Sequence, residues 1–167
     1  MTKFTIITSC FNAEKYIEKC LNSILKQSYK KFQVQVVDDC SSDSSYEIAS
    51  SICQDKENFK AFKNNRRIGA LHNISRLLNT KITEPSKTID LIIDGDDYLY
   101  SSDVLNIVEE KYVQTNCLIT YGSHISSRGV KGKKYPSLVR EFNLFRKYFW
   151  YASHLKTFRH DLWLSLN

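Results

Sequence analysis

The chain has 167 residues and a mass of 19.5 kDa, with 42% hydrophobic and 25% charged residues, the balance of an ordinary soluble globular domain. A chain of this size hides roughly 70% of its extended surface, enough for a hydrophobic core without disulfides or a structural metal, and this excludes dominant disorder. Lys plus Arg is 24 against 18 Asp plus Glu, a net charge of +6 with a pI near 9.0, which favours anionic partners without choosing among nucleotides, nucleic acid and acidic lipid surfaces.

No apolar run approaches the roughly 20 residues that cross a bilayer, and Met1-Thr2-Lys3-Phe4 reads as the start of a strand rather than a secretory leader, so a cytoplasmic location is expected. Five cysteines, Cys10, Cys20, Cys40, Cys53 and Cys117, form no C-x-x-C pair, which points to reduced thiols and excludes a zinc ribbon. For Cys10 and Cys40, a small buried thiol outweighs a place in a ligand pocket.

Phe4-Thr5-Ile6-Ile7-Thr8 is a short β-branched run that predicts a buried strand. Tyr16, Ile17, Cys20, Leu21, Ile24 and Leu25 then lie on one helical face, with Asn12 as the expected N-cap and Glu14 near the positive helix end. Residues 32–37 predict a second strand ending in Asp38-Asp39. Ser41, Ser42 and Asp43 supply turn and cap chemistry for a helix carrying Tyr46, Ile48, Ala49 and Ile52. A weaker third strand covers 59–62, and Ile68, Leu71, Ile74, Ser75 and Leu78 predict a third helix, ended by Glu84-Pro85-Ser86.

The clearest strand, 89–93, runs into Asp94-Gly95-Asp96-Asp97. A capped helix from about Ser102 follows, with Val104, Leu105, Val108 and Tyr112, then a fifth strand at 117–121. This βαβα order predicts an α/β fold, a mostly parallel central sheet with helices on both faces, whose ligands bind beyond the carboxyl ends of the strands. Residues 1–125 form the expected core. The segment 126–167 starts an acceptor-side region: 123–134 is polar, and 142–163 is dense in aromatic and basic residues, read as a lid or wall able to meet a membrane surface or a protein. His154 and His160, six apart, fit no helical metal face and are expected at the surface or on that wall.

Two strand ends carry adjacent carboxylates in a positively charged protein. Like charges a few ångströms apart destabilise a fold unless a cation, hydrogen bonds or water offsets them, and magnesium or manganese is the simplest remedy because each is held by one or two carboxylates and completes its shell with water and phosphate oxygens. Asp38 and Asp39 alone also fit capping of the following helix.

The run from Ile7 to Ile17, TSCFNAEKY at its centre, with Leu21-Asn22-Ser23-Ile24-Leu25-Lys26-Gln27-Ser28-Tyr29, Val36-Val37-Asp38-Asp39-Cys40-Ser41-Ser42-Asp43, Asn73 and Ile93-Asp94-Gly95-Asp96-Asp97, resembles family 2 of the glycosyltransferases, which have the GT-A fold. The likeness covers about residues 3–125. It implies inverting transfer of a sugar from a nucleotide diphosphate sugar, most often a UDP-sugar, to a glycan, lipid or protein acceptor, assisted by Mn2+ or Mg2+. By the same resemblance Ser9 and Phe11 lie in the first donor-side loop, Asp39 reads the uracil ring, Arg67 faces base or phosphate, Asp96 faces the ribose, Asp94 opens the motif, and Asp97 ligates the metal.

Inversion needs a general base for the acceptor hydroxyl. In the family this is a late acidic motif, commonly Glu-Asp. The sequence offers Glu109-Glu110 in the helix after the D-x-D and a single late aspartate, Asp161, in a setting similar to the family's segment before that motif. Asp161 is the one candidate the sequence offers, and the base itself is left unassigned: the chain is read as a truncated catalytic domain, a domain that needs a partner, or a binding-only relic. The competing readings are a nucleotide-sugar-binding module without turnover and a nucleic-acid-binding protein; acidic strand ends repel phosphates, so no nucleic acid is expected.

Overall fold

A computed structural model describes residues 2–132, 136–142, 144 and 153–166. In chain order the elements are β1 (Lys3–Cys10), α1 (Ile17–Leu25), β2 (Phe32–Asp38), α2 (Ser45–Cys53), β3 (Phe59–Lys63), α3 (Ala70–Leu78), a 3-10 turn at Pro85–Lys87, β4 (Thr88–Asp94), α4 (Val104–Thr115), β5 (Ile119–Gly122), α5 (Ser137–Glu141), β6 (Ser153–Arg159) and α6 (His160–Leu164). They build one six-stranded sheet of order β3-β2-β1-β4-β6-β5. The first four strands are parallel, whereas β6 runs antiparallel to both β4 and β5.

Alternation along the strands feeds two apolar layers. Phe4, Ile6 and Cys10 of β1 join Val34 and Val36 of β2 and Leu91 and Ile93 of β4, under Leu21 and Ile24 of α1, Ala49 and Cys53 of α2, and Leu105 and Tyr112 of α4. On the other face Ile7 and Val37 pack with Leu77 and Leu78 of α3, and Phe158 and Trp163 extend that layer. Burial on both faces explains why the strands read as continuous apolar runs, and each fully buried Ile or Leu contributes about 1.5–3 kcal/mol. Among the described residues no helix is long and apolar enough to cross a membrane.

Three expectations are corrected. Among the described residues the sheet has six strands, because Ser153–Arg159 inserts between β4 and β5; Phe145, Tyr148, Phe149, Trp150 and Tyr151 of the expected aromatic wall lie outside the described residues. On α3, Leu71 is 78% exposed while Asn73 is fully buried, since Asn73 is drawn inward by polar partners described below. His160 is 1% exposed, and its Nδ1 lies 2.7 Å from Oδ2 of Asp90, itself fully buried. Burial pushes the Asp90 carboxyl up to about 6, against the opposing hydrogen bond and charge of His160. The pair clamps the start of α6 to the beginning of β4.

Candidate functional site

The parallel register brings the carboxyl ends of β1, β2, β3 and β4 to one edge: Cys10 pairs with Asp38, Ser9 with Asp94, and Asp38 with Lys63. Each acidic pair thus follows a strand whose neighbours end beside it. The loop after β4 is tight, with the Asp97 N–H donating to the Asp94 carbonyl at 3.0 Å and the Gly95 N–H to the Ser9 carbonyl at 3.2 Å. Only glycine fits the second position, because a Cβ there would lie 2.6 Å from the Cys10 Cβ. Asp96 is exposed and Asp97 half-buried at the tip of this turn.

Asp39 is 2% exposed and accepts hydrogen bonds from Asn64 Nδ2 at 2.8 Å, the Ile68 N–H at 3.0 Å and the Gly69 N–H at 2.8 Å. Burial would raise this carboxyl, but the donors on Ile68, Asn73, Asn64 and Gly69 prevail and hold it down at about 2. Asn64 also donates to Asn73 Oδ1 at 2.8 Å and accepts from Arg76 at 3.0 Å, while Asn73 Nδ2 reaches Ser9 Oγ at 3.5 Å. Asp39 therefore ties the segment between β3 and α3 to the sheet edge. That segment carries Arg67, whose guanidinium sits 3.8 Å from the centroid of the Phe11 ring, an aromatic 38% exposed.

The loops after β1 and β2 cap one another. Ser41 Oγ accepts from the Asn12 N–H at 2.9 Å, Ser45 Oγ from the Ala13 N–H at 2.7 Å, and Asp43 Oδ2 from the Glu14 N–H at 3.1 Å. Asn12, the expected cap of α1, accepts from the Ser42 N–H at 3.0 Å and holds a φ of +50°. Asp38 Oδ2 accepts from the Ser41 N–H at 2.9 Å, so the first acid of the pair is structural. Burial, followed by the charge of Asp38, pushes the Cys10 thiol up to about 12, and burial followed by the charge of Asp97 does the same to Cys20. Neither is a nucleophile at neutral pH.

Ser9, Phe11, Asp39, Arg67, Asp94, Asp96 and Asp97 thus come together on one edge. Asp161 does not join them. Because β6 is antiparallel to β4, with Arg159 opposite Ile89, the residues after Arg159 emerge at the amino end of β4, the edge opposite the acidic turn. Glu109 is also remote: its Oε1 accepts from the Thr2 N–H at 3.2 Å and the Tyr29 hydroxyl at 3.0 Å. Asn64 and Arg76 were missed in the sequence because an isolated Asn or Arg carries no motif; their role appears only once Asp39 is seen to need donors.

Among the described residues no three His, Cys, Asp or Glu side chains converge on one point. The donor set at the turn is carboxylate oxygen alone, which fits a hard divalent ion held by one or two carboxylates with its other positions left to water and phosphate.

The sequence model of glycosyl transferase family 2 matches residues 5–164, and the chain belongs to that family. It is 29% identical over 149 residues to the poly(ribitol-phosphate) beta-N-acetylglucosaminyltransferase TarS of Staphylococcus aureus, a match covering 86% of this chain and 25% of TarS. The crystal structure of S. aureus TarS 1-349 superposes with a TM-score of 0.74 at 25% identity, over 99% of this chain and 49% of that one. The TarS 1-349 complex with UDP-GlcNAc does so with a TM-score of 0.71 at 26% identity, over 99% and 47%. The fold is therefore GT-A, and the chain spans about a quarter of the length of the curated relative and about half of the solved chains.

Proposed function

We propose that the chain forms the donor-binding part of a metal-assisted glycosyltransferase that moves a sugar from a UDP-sugar to an acceptor hydroxyl with inversion. The observation that carries this is the convergence on one sheet edge of the Asp94-to-Asp97 turn, Ser9, and an Arg67–Phe11 stack pinned through Asp39. Arg67, stacked over the Phe11 ring, supplies a planar cation for a pyrimidine or a phosphate. Asp39 works at the base edge chiefly by fixing the Ile68 and Gly69 amides, and through them Arg67. Asp96, exposed on the turn, is placed for ribose hydroxyls.

Asp97 would hold magnesium or manganese, an ion that when bound neutralises charge developing on a departing diphosphate. The close packing of Gly95 on Cys10 keeps the carboxylates in place before ligand arrives, so little reorganisation is needed. That TarS 1-349 was solved with UDP-GlcNAc supports a uridine donor here. The names of relatives, poly(ribitol-phosphate) for TarS and a lipid diphosphate glycan for a Campylobacter jejuni glucosyltransferase, support an acceptor hydroxyl on a phosphate-bearing glycan or polyol. The remote position of Asp161 favours, as a second reading, a module that binds nucleotide sugar and relies on a carboxylate from elsewhere for turnover.

The test is UDP release from UDP-sugars, followed with and without added glycan or polyol acceptors. Native chain should release UDP, Arg67→Ala should do so with a raised KM, and Asp97→Ala should not do so at all. If Asp97→Ala matches the native rate, the metal assignment is wrong; binding without release selects the second reading.

A further inference from the structure

Resting on the donor-site reading, we infer that a one-way relay of hydrogen bonds through Asn64 and Asn73 fixes the Ser9 hydroxyl as a donor into the base pocket, and that the pocket selects uracil over cytosine through Ser9 rather than through Asp39. The carboxylate that the resemblance assigns to base reading has no lone pair left for that task. Asp39 Oδ1 accepts from Asn64 Nδ2 at 2.8 Å and from the Ile68 N–H at 3.0 Å, Oδ2 accepts from the Gly69 N–H at 2.8 Å, and Asn73 supplies a fourth donor. An ionised carboxylate offers about four lone-pair sites, so this one, 2% exposed, is filled by the protein itself.

The polarity of the relay is set at its two ends. Arg76 carries only donors, and its Nη2 donates to Asn64 Oδ1 at 3.0 Å, whereas Asp39 carries only acceptors and takes a proton from Asn64 Nδ2. The buried Asn64 amide therefore has one orientation, because the flipped one sets its NH2 against the guanidinium and its carbonyl against the carboxylate. Its second N–H goes to Asn73 Oδ1 at 2.8 Å, which fixes that amide in turn, and the fully buried Asn73 sends Nδ2 to Ser9 Oγ at 3.5 Å. A serine oxygen that accepts from behind still has its own proton to place. Among the described residues no acceptor takes it, and Ser9 is half-buried near the end of β1, where the sheet edge opens.

The surroundings of Ser9 say what its proton meets. Asn73 links it to Asp39, the Ile68 and Gly69 amides held by Asp39 directly follow Arg67, and Arg67 lies over Phe11, two residues on from Ser9. A pyrimidine laid against Arg67 thus turns an edge to Ser9. Uracil and cytosine share the ring and the C2 carbonyl, but at C4 one has a carbonyl and the other an amino group. A donating hydroxyl pairs with the carbonyl and confronts the amino group, and a donor set against a donor away from bulk water weakens binding.

The experiment is calorimetry with Mn2+ on the whole chain, giving Kd for UDP and for CDP with native protein, Ser9→Ala, Ser9→Thr and Asn73→Leu. The native chain should bind UDP about 10-fold or more tighter than CDP. Ser9→Ala should bring the ratio within about 2-fold, chiefly by weakening UDP, and Ser9→Thr, which keeps the hydroxyl, should restore it. Asn73→Leu keeps the volume but donates nothing to Ser9, so UDP should still bind with a reduced ratio; if that variant does not fold, the two Ser9 variants decide. A Ser9 that merely packs would weaken both nucleotides equally. Equal affinity of the native chain for UDP and CDP, or a native ratio retained in Ser9→Ala, overturns the inference and leaves the donor-site reading standing. If neither nucleotide binds the native chain, the donor-site reading fails and the inference falls with it.

Discussion

Asp39→Asn tests whether the carboxylate between β2 and α2 is the anchor of the Arg67 segment. The native carboxylate takes N–H donors at 2.8, 3.0 and 2.8 Å from Asn64, Ile68 and Gly69. An amide keeps one acceptor oxygen and turns an NH2 toward the other donors, so at least one buried N–H faces another donor. An unpaired buried N–H costs about 1–3 kcal/mol, and loss of charge assistance on the remaining bonds adds to it, so the expected destabilisation is about 2–4 kcal/mol. In a domain of this size that lowers Tm by roughly 5–15 °C.

The effect carries a pH signature. The folded carboxyl titrates at about 2, below its unfolded value near 3.8, so its contribution is present above about pH 4 and is lost as pH falls toward 2. The shift corresponds to about 2 kcal/mol. Urea unfolding of native and Asp39→Asn protein from pH 7 to pH 3 should therefore show a stability gap that is constant down to about pH 4 and narrows below it. A gap under about 0.5 kcal/mol at pH 7, or one that does not change with acid, refutes the anchoring role.

Gly95→Ala should cost about 1–3 kcal/mol and weaken UDP binding, because its Cβ would press on the Cys10 Cβ at 2.6 Å; chemical unfolding should show partial rescue when Cys10→Gly is added. His160→Ala leaves the buried Asp90 carboxyl without its partner and should destabilise by about 3 kcal/mol, read by urea unfolding, while Asp161→Asn should leave UDP release unchanged, since Asp161 sits at the far edge. Arg67→Ala should lower affinity for UDP in calorimetry with thermal stability nearly unchanged, because the guanidinium lies on the partly exposed face of Phe11.

The parallel half of the fold was legible because β1 and β4 carry apolar runs buried on both faces, and β2 and β4 close in acids. Helix α1 was legible for the complementary reason, an apolar stripe of Ile17, Cys20, Leu21 and Ile24. Strand β6 was not, since Ser153–Arg159 reads SHLKTFR, with only Leu155 and Phe158 apolar and three apart, and pairs with β4 across more than sixty positions of sequence, a partnership no local pattern announces. The same antiparallel insertion moved Asp161 to the wrong edge, a fact set by strand direction rather than by neighbouring residues.

Site residues that touch through adjacent strand ends, Ser9 with Asp94 and Cys10 with Asp38, followed from the βαβ order. The polar support did not. Ser41, Ser45 and Asp43 satisfy amides of the preceding loop instead of serving only their own helix, and Asn73 replaces an apolar residue on the inner face of α3 because Asn64 reaches it at 2.8 Å.

The most direct measurement is thermal unfolding of native and Asp97→Ala protein with UDP, GDP, CDP, ADP and dTDP, each with Mn2+, Mg2+ or chelator. Ligand at 100 times its Kd adds about 2.7 kcal/mol, a shift of roughly 5–10 °C in a domain of this size. A donor site at the β1, β2 and β4 edge requires that UDP stabilise the native chain only with metal and that Asp97→Ala, folded and equally stable without ligand, lose the effect. Stabilisation by UDP that is indifferent to metal and to Asp97, or none by any nucleotide, would contradict it.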